Sequence, residues 1–142
     1  AIAWLPPKSP FGLLEEILWH DPWKLLLSCM MLNQTGRRQV DRVLWRLFHR
    51  FPSASCLAQA AASEVEELVM PLGLHRKRAQ MLIKFSQQYL QGDWQEAREL
   101  HGIGKYADDA YRIFCKGEWK DSQPDDHALN WYHQWLVDEC KQ

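Results

Sequence analysis

Apolar positions along this chain recur at three- and four-residue spacing, and no stretch alternates apolar with polar in the manner of a strand. Asp21-Pro22 reads as an N-cap followed by proline at the first helical position. The stretch it opens, WKLLLSCMMLN, is apolar nearly all round and predicts a buried helix. From Arg37 to Phe51, Val40, Val43, Leu44, Leu47 and Phe48 share one face, with Arg38, Arg42, Arg46 and Arg50 largely opposite. Ser63 and Glu66 have capping-box spacing before a short helix that Pro71 must end. PLGLHRKRAQMLIKFSQQYL is a glycine turn feeding a helix with Ala79, Leu82, Ile83, Ser86 and Tyr89 on one face. Pro124-Asp125-Asp126 precedes a last helix carrying Leu129, Tyr132, Leu136 and Cys140. The pattern predicts one all-α domain over residues 1–142, of about eight or nine short helices, without repeats, low-complexity tracts or linkers.

Composition narrows this picture only in places. Eight tryptophans and 46% apolar residues exclude a disordered chain, and 142 residues suffice to bury a core without staples. Net charge is −1, so any basic footprint must be local. No apolar run approaches a membrane span. The opening AIAWLPPKSP has no leader pattern and no initiator methionine, which predicts a domain cut from a longer protein. Cys29, Cys56, Cys115 and Cys140 are widely and irregularly spaced, which predicts reduced thiols of an intracellular protein. A zinc site from Cys115, His127, His133 and Cys140 would lack any Cys-x-x-Cys or His-x₃₋₅-His pair and is disfavoured.

The candidate chemistry begins at LHGIGKYADDAYRIFC, residues 100–115. Leu100 and Ile103 can anchor a hairpin between two helices, while Gly102 and Gly104 permit positive φ and close backbone approach. A helix that starts directly after the turn points free N–H groups outward, and Lys105 at its mouth suits a phosphate. An ordinary glycine-capped helix turn would read the same, but basic residues gather at two other helix starts, Gly36-Arg37-Arg38 and His75 to Arg78. Such runs are commonly solvated faces; beside the hairpin they fit a surface that grips a DNA backbone without reading sequence.

The segments SPFGLLEEILWHDPWKLLLSCMMLNQT, PLGLHRKRAQMLIKFS, LHGIGKYADDAYRIFC and PDDHALNWYHQWL resemble the glycosylase domains of the methyl-CpG-binding domain protein 4 family, from about Trp4 to about Asp138. These are mismatch-specific thymine/uracil DNA glycosylases of the helix-hairpin-helix superfamily. The resemblance implies their all-α fold, with the hairpin at 100–114, and excision of thymine or uracil opposite guanine. It places the catalytic aspartate on Asp126, the base-stacking tyrosine on Tyr106, a base pocket on Leu13, Leu14, Glu15 and Tyr106, and duplex wedges on Gln34 and Leu74. Gly102, Gly104, Lys105, Arg76 and Arg78 are then expected to hold the DNA backbone. Bifunctional relatives similar to endonuclease III carry a Schiff-base lysine where Tyr106 stands, and a phenol forms no imine, so an abasic product without strand cleavage is expected. The C-terminal region offers only Cys140 to an iron–sulfur loop that needs four cysteines, so no cluster and no cofactor are expected, with a monovalent cation at the hairpin left open. Cys29 replaces the glutamate of adenine glycosylases. The implied partners are mismatched double-stranded DNA and a downstream abasic-site endonuclease, for a monomer in the nucleus that does not engage membranes.

Three positions depart from the family pattern: Glu15 where glutamine is usual, Gln34 where many carry arginine, and Ala128 where some carry lysine. Glu15 and Glu16 also fit two carboxylates solvating the first turn of a short helix. Asp126 also fits an N-cap; Asp125 could take that role and free Asp126, and both registers suit the sequence. Two rival functions stand beside the main one. One is a catalytically silent module for mismatched or abasic DNA; the other is a glycosylase for another lesion, such as an altered cytosine.

Overall fold

The computed structural model describes residues 4–140, and among these there are eight α-helices and no strand. They are α1 (Leu14–Leu18), α2 (Pro22–Leu32), α3 (Arg37–Arg50), α4 (Ala54–Ala58), α5 (Ala62–Val69), α6 (His75–Gln91), α7 (Lys105–Ala110) and α8 (His127–Cys140). Three 3₁₀ turns lie at Met70–Leu72, Ala97–Glu99 and Trp119–Asp121, and a π-helical turn at Tyr111–Cys115 continues α7.

Helix α2 is the axis of the fold. Asp21 caps it by accepting from the Lys24 amide, and Pro22 follows where no intrahelical N–H is needed. Leu25, Leu26 and Leu27 are all fully buried, because α1, α3, α6 and α7 surround the helix. Each contributes about 1.5–3 kcal/mol by removal from water. Trp23 packs at the same level, and its indole N–H donates to Ser86 Oγ at 2.9 Å, so a deep polar atom stays satisfied.

Helix α6 carries α4 and α5 on its buried face of Ala79, Leu82, Phe85 and Ser86. Ile83 and Tyr89 lie only at the edge of that face, and Phe85 is its deepest aromatic residue. Gly92, at φ 70°, closes α6 in the left-handed cap that a side chain disfavours. Helix α8 buries Leu129, Tyr132 and Leu136; the Tyr132 ring lies 4.5 Å from that of Phe114, and its hydroxyl donates to Pro7 O at 2.6 Å.

Two local expectations are corrected. Ser63 and Glu66 form no capping box: α5 starts at Ala62, two residues too early, and Glu66 instead faces Arg76. Cys140 belongs to the exposed last turn of α8 rather than its buried stripe. Pro71 sits within the 3₁₀ turn after α5, which ends at Val69 as proline requires.

Candidate active site

Three helix starts converge on one cleft of about 460 Å³: α1 with Leu13, Leu14 and Glu15, α7 with Tyr106, and the entry to α8 with Asp126 and Ala128. The loop between α2 and α3, with Asn33, Gln34 and Thr35, and the first residue of α3, Arg37, complete the wall. The wall before α1 is fixed by a carboxylate. Glu16 is buried and accepts from Ser9 N at 2.8 Å, Ser9 Oγ at 2.6 Å and Leu13 N at 3.1 Å. Arg37 donates to Gly12 O at 2.9 Å and ties the same loop to α3.

Neither glutamate of α1 solvates a helix turn. Glu15 is 2% exposed, and Tyr106 donates its hydroxyl to Glu15 Oε2 at 3.2 Å. Desolvation raises the Glu15 carboxyl from 4.5 to about 7, with Asp126 adding repulsion against opposing help from Tyr106 and Arg37. Burial likewise pushes the Tyr106 hydroxyl and the Cys29 thiol up, so both stay protonated. The site therefore holds one buried acid poised near neutrality among neutral donors.

Asp126, not Asp125, caps α8: its Oδ2 accepts from the Leu129 amide at 3.1 Å, and its carbonyl accepts from Asn130 N. Asp125 is 82% exposed at its side chain. Capping and lining the cleft coincide in one residue. Its second carboxylate oxygen takes no hydrogen bond from the described residues.

The two expected wedges share a backbone property. Among the described residues, Gln34 and Leu74 are the non-glycine residues with positive φ, at 64° and 51°. Each such conformation costs roughly 1–3 kcal/mol and persists only where the surroundings enforce it. Leu74 is also 63% exposed. They flank a small cavity of about 140 Å³ floored by Met30, Met31, Met81 and Leu82. An exposed glutamine and an exposed leucine thus line one cavity over a methionine floor, next to the cleft that shares Gln34.

At the hairpin, Ile103 N bonds Leu100 O at 3.2 Å and Asp108 N bonds Gly104 O at 3.0 Å. Gly102 takes φ 81°, as glycine allows. Gly104 does not: it is extended at φ −99°, and a Cβ there would meet nothing within 4 Å. What glycine leaves at 104 is open space beside the free N–H groups of α7. The expected backbone-gripping cations differ in freedom. Lys105 Nζ is 2.7 Å from Asp109 Oδ2 and 2.9 Å from Gln123 O. Arg78 donates to four oxygens of the protein. Arg76 is 85% exposed, with Glu66 only at 3.9 Å.

Sequence reasoning missed Glu16, Arg37 and Thr35 as wall-builders, since each works through a contact distant in sequence or with a loop backbone. No group of three His, Cys, Asp or Glu side chains suited to a metal occurs among the described residues. Two of the four residues of the disfavoured zinc reading have other partners: Cys115 donates to Trp19 O, and His133 Nε2 pairs with Trp119 O at 2.7 Å. No described helix is long and apolar enough to cross a membrane.

Known proteins resemble this chain in sequence and in fold. The chain is 46% identical over 134 residues to a methyl-CpG-binding domain protein 4-like protein of Arabidopsis thaliana, a match covering 94% of this chain and 30% of that protein. It is 34% identical over 103 residues to a thymine-DNA glycosylase of Aeropyrum pernix, covering 65% of this chain and 46% of that one. A thymine/uracil-DNA glycosylase of Pyrobaculum aerophilum matches at 31% identity, with 66% and 45% covered. The chain thus spans less than half the length of these curated relatives. Its fold superimposes on a thermostable thymine-DNA glycosylase with a TM-score of 0.64 at 21% identity, over 70% of this chain and 51% of that one. A non-covalent endonuclease III–DNA complex gives 0.61 at 17% identity, over 82% and 65%. At these identities the structural likeness is one of fold. The family described as HhH-GPD superfamily base excision DNA repair protein matches residues 27–134, and the chain belongs to that superfamily.

Proposed function

We propose that this domain is a monofunctional DNA glycosylase that extrudes thymine or uracil opposite guanine, hydrolyses its N-glycosidic bond and leaves an abasic site. The observation that carries this reading is Asp126, an aspartate held rigid by its own helix and lining a base-sized cleft with Tyr106 and Glu15. A carboxylate beside the extruded sugar stabilises positive charge as the C1′–N bond lengthens, and it orients water for addition to C1′. The base leaves with the bond's electron pair, and water supplies the hydroxyl of the abasic sugar. Mispaired bases cost least to extrude, which favours mismatches.

The absence of lyase chemistry is supported by the cleft's lining, which among the described residues contains no lysine. Lys105, next to Tyr106, lines a different groove, where Asp109 and Gln123 hold its ammonium. Glu15 bears on the base. As a neutral acid it offers one donor and one acceptor, matching a carbonyl oxygen and the N3–H of thymine or uracil. The same acid can also pair with N3 and N4 of an altered cytosine, which favours that lesion as the second reading. The names of the two archaeal relatives, a thymine-DNA and a thymine/uracil-DNA glycosylase, support the first.

The test is a panel of labelled duplexes carrying T·G, U·G, matched T·A and modified-cytosine pairs, with strand breaks scored before and after alkali. Alkali-dependent breaks at T·G and U·G are expected. No break at any pair would leave only the silent DNA-binding module, and breaks without alkali, or a borohydride-trapped adduct, would overturn the monofunctional assignment.

A further inference from the structure

The two loops carrying Gln34 and Leu74 are separated in sequence by α3, α4 and α5, yet one side chain joins them. Arg78, in the first turn of α6, reaches backward and donates from Nε to Gly73 O at 3.0 Å, directly before Leu74. It reaches across from its terminal nitrogens to Thr35 Oγ1 at 2.8 Å, Asn33 O at 3.4 Å and Met31 O at 3.4 Å, on both sides of Gln34. A guanidinium has five N–H donors in a rigid fork, and four are occupied by neutral oxygens of the protein. The residues it brackets are the two non-glycine residues held at positive φ among the described residues. Strain of that kind persists only where surrounding bonds over-determine the loop.

We propose that Arg78 is a positioning residue: it clamps the Gln34 and Leu74 loops into a single two-pronged probe of the duplex, and is not primarily a phosphate contact. This rests on the reading of the domain as a base-extruding glycosylase. The clamp has a mechanical rationale. Two independent flexible loops would lose conformational freedom on entering the base stack, whereas a preorganised pair loses little. Partial burial lowers the arginine's proton affinity, but a guanidinium remains charged at any working pH. Charge and fork geometry can therefore be separated by substitution.

Arg78→Lys keeps the charge and removes the fork. Thr35→Val keeps Arg78 intact and removes its shortest bond. Three readouts are needed on purified, folded protein: single-turnover base release from a T·G or U·G duplex, release from a single-stranded uracil oligonucleotide, and the salt slope of duplex binding. A fourth, fluorescence of 2-aminopurine beside the mismatch, reports extrusion without requiring base release. A clamp predicts that Arg78→Lys slows duplex release and extrusion about ten- to thirtyfold. Single-strand release stays within about threefold, because an unpaired base needs no probe, and the salt slope is unchanged. Thr35→Val should slow duplex release and extrusion about three- to fivefold, and the double variant should be no worse than Arg78→Lys.

Wild-type duplex activity in Arg78→Lys would overturn the clamp, and so would equal losses on duplex and single strand. A null effect of Thr35→Val with a shallower slope in Arg78→Gln would show a phosphate contact instead. The two readings fail separately. Wild-type protein that raises 2-aminopurine fluorescence without releasing a base would sink the catalytic assignment, and the clamp would still be decided by the fluorescence arm. Wild-type protein that does neither would overturn both.

Discussion

The proposed base cleft and the proposed duplex probe adjoin one another and are built on opposite principles. In the cleft, polar groups are held by hydrogen bonds: buried Glu16 takes three donors, Tyr106 bonds buried Glu15, and half-buried Asp126 caps its helix with one oxygen. In the probe, an apolar side chain is exposed and the backbone is strained at both tips. Chemistry on a flipped base needs fixed charges in a dry site, so rigidity there also favours the fold. Opening a duplex needs apolar surface presented to the partner, which works against the isolated domain. The cleft should therefore couple stability to function, and the probe should set them against each other.

The largest expected effect tests the cleft. Asp126→Asn retains an N-cap acceptor, so thermal stability should change little, while base release should fall about 10²–10⁴-fold, as for loss of an acid–base or electrostatic group. Asp126→Ala removes the cap as well and should cost about 0.5–2 kcal/mol in addition. Single-turnover rates and unfolding curves on both variants separate the roles. Normal turnover in Asp126→Asn would leave Asp126 as a cap alone.

That dual role shows where sequence was legible and where it was not. The cap of α2, the glycine turn before α6 and the helix after the hairpin follow from local chemistry, and all three stand where their residues place them. The start of α8 does not: Pro124-Asp125-Asp126 offers two carboxylates in adjacent registers, and only tertiary packing decides that Asp126 takes the cap. Glu15 and Glu16 are similar. Two glutamates at a helix start also fit solvated carboxylates; only the resemblance put Glu15 in a pocket, and nothing in their spacing reveals a loop folding over one and a tyrosine from residue 106 meeting the other. Arg78 belongs to a basic run, and three of its four acceptors lie 43 or more residues away, in the last turn of α2 and the loop after it, with the fourth five residues away. Local patterns place helices; long-range partners assign the charges.

The probe's side of the comparison can be broken at Leu74. Glycine accepts left-handed backbone without the Cβ conflict that costs roughly 1–2 kcal/mol, offset in part by its greater freedom when unfolded. Leu74→Gly should leave stability unchanged or raise it by up to about 1 kcal/mol, about 2–4 °C in Tm for a domain of this size. Duplex base release should nonetheless fall about ten- to a hundredfold. A variant that is destabilised and fully active would reverse the assignment of the two regions.

The pH dependence of Glu15 sharpens the cleft. Its carboxyl is raised to about 7 in the folded protein against 4.5 when free, so the folded state binds the extra proton between those values. Stability conferred by the neutral form is complete below about 4.5 and declines as pH rises towards 7, levelling above it. If the neutral acid donates to the departing base, release from T·G falls about tenfold between pH 6 and pH 8. An occupied, drier pocket would move that limb upward. Glu15→Gln keeps a donor at every pH and should remove both the alkaline limb and the stability slope. Identical pH–rate profiles from pH 5.5 to 9 would withdraw Glu15 from base recognition.

The smallest effect divides two cations that sequence treats alike. Arg76 is nearly free, so a phosphate contact by it should appear as one released counterion: Arg76→Ala should shallow the salt slope of duplex binding by about 0.9, equally on any sequence. Between 50 and 200 mM salt that is a difference of about three- to fourfold in affinity change. Unfolding should be unaffected, because the Glu66 contact is long and exposed. Lys105 starts from the opposite condition. Its ammonium neutralises Asp109, whose side chain is only 5% exposed, and Lys105→Ala would leave that carboxylate without its partner. The cost should appear in stability, at about 1–3 kcal/mol, with a slope change smaller than that of Arg76→Ala. Lys105→Ala with wild-type stability and a full unit of slope would mean that the lysine leaves Asp109 for the phosphate on binding. The hairpin would then grip DNA with a side chain as well as with the backbone N–H groups at Gly104.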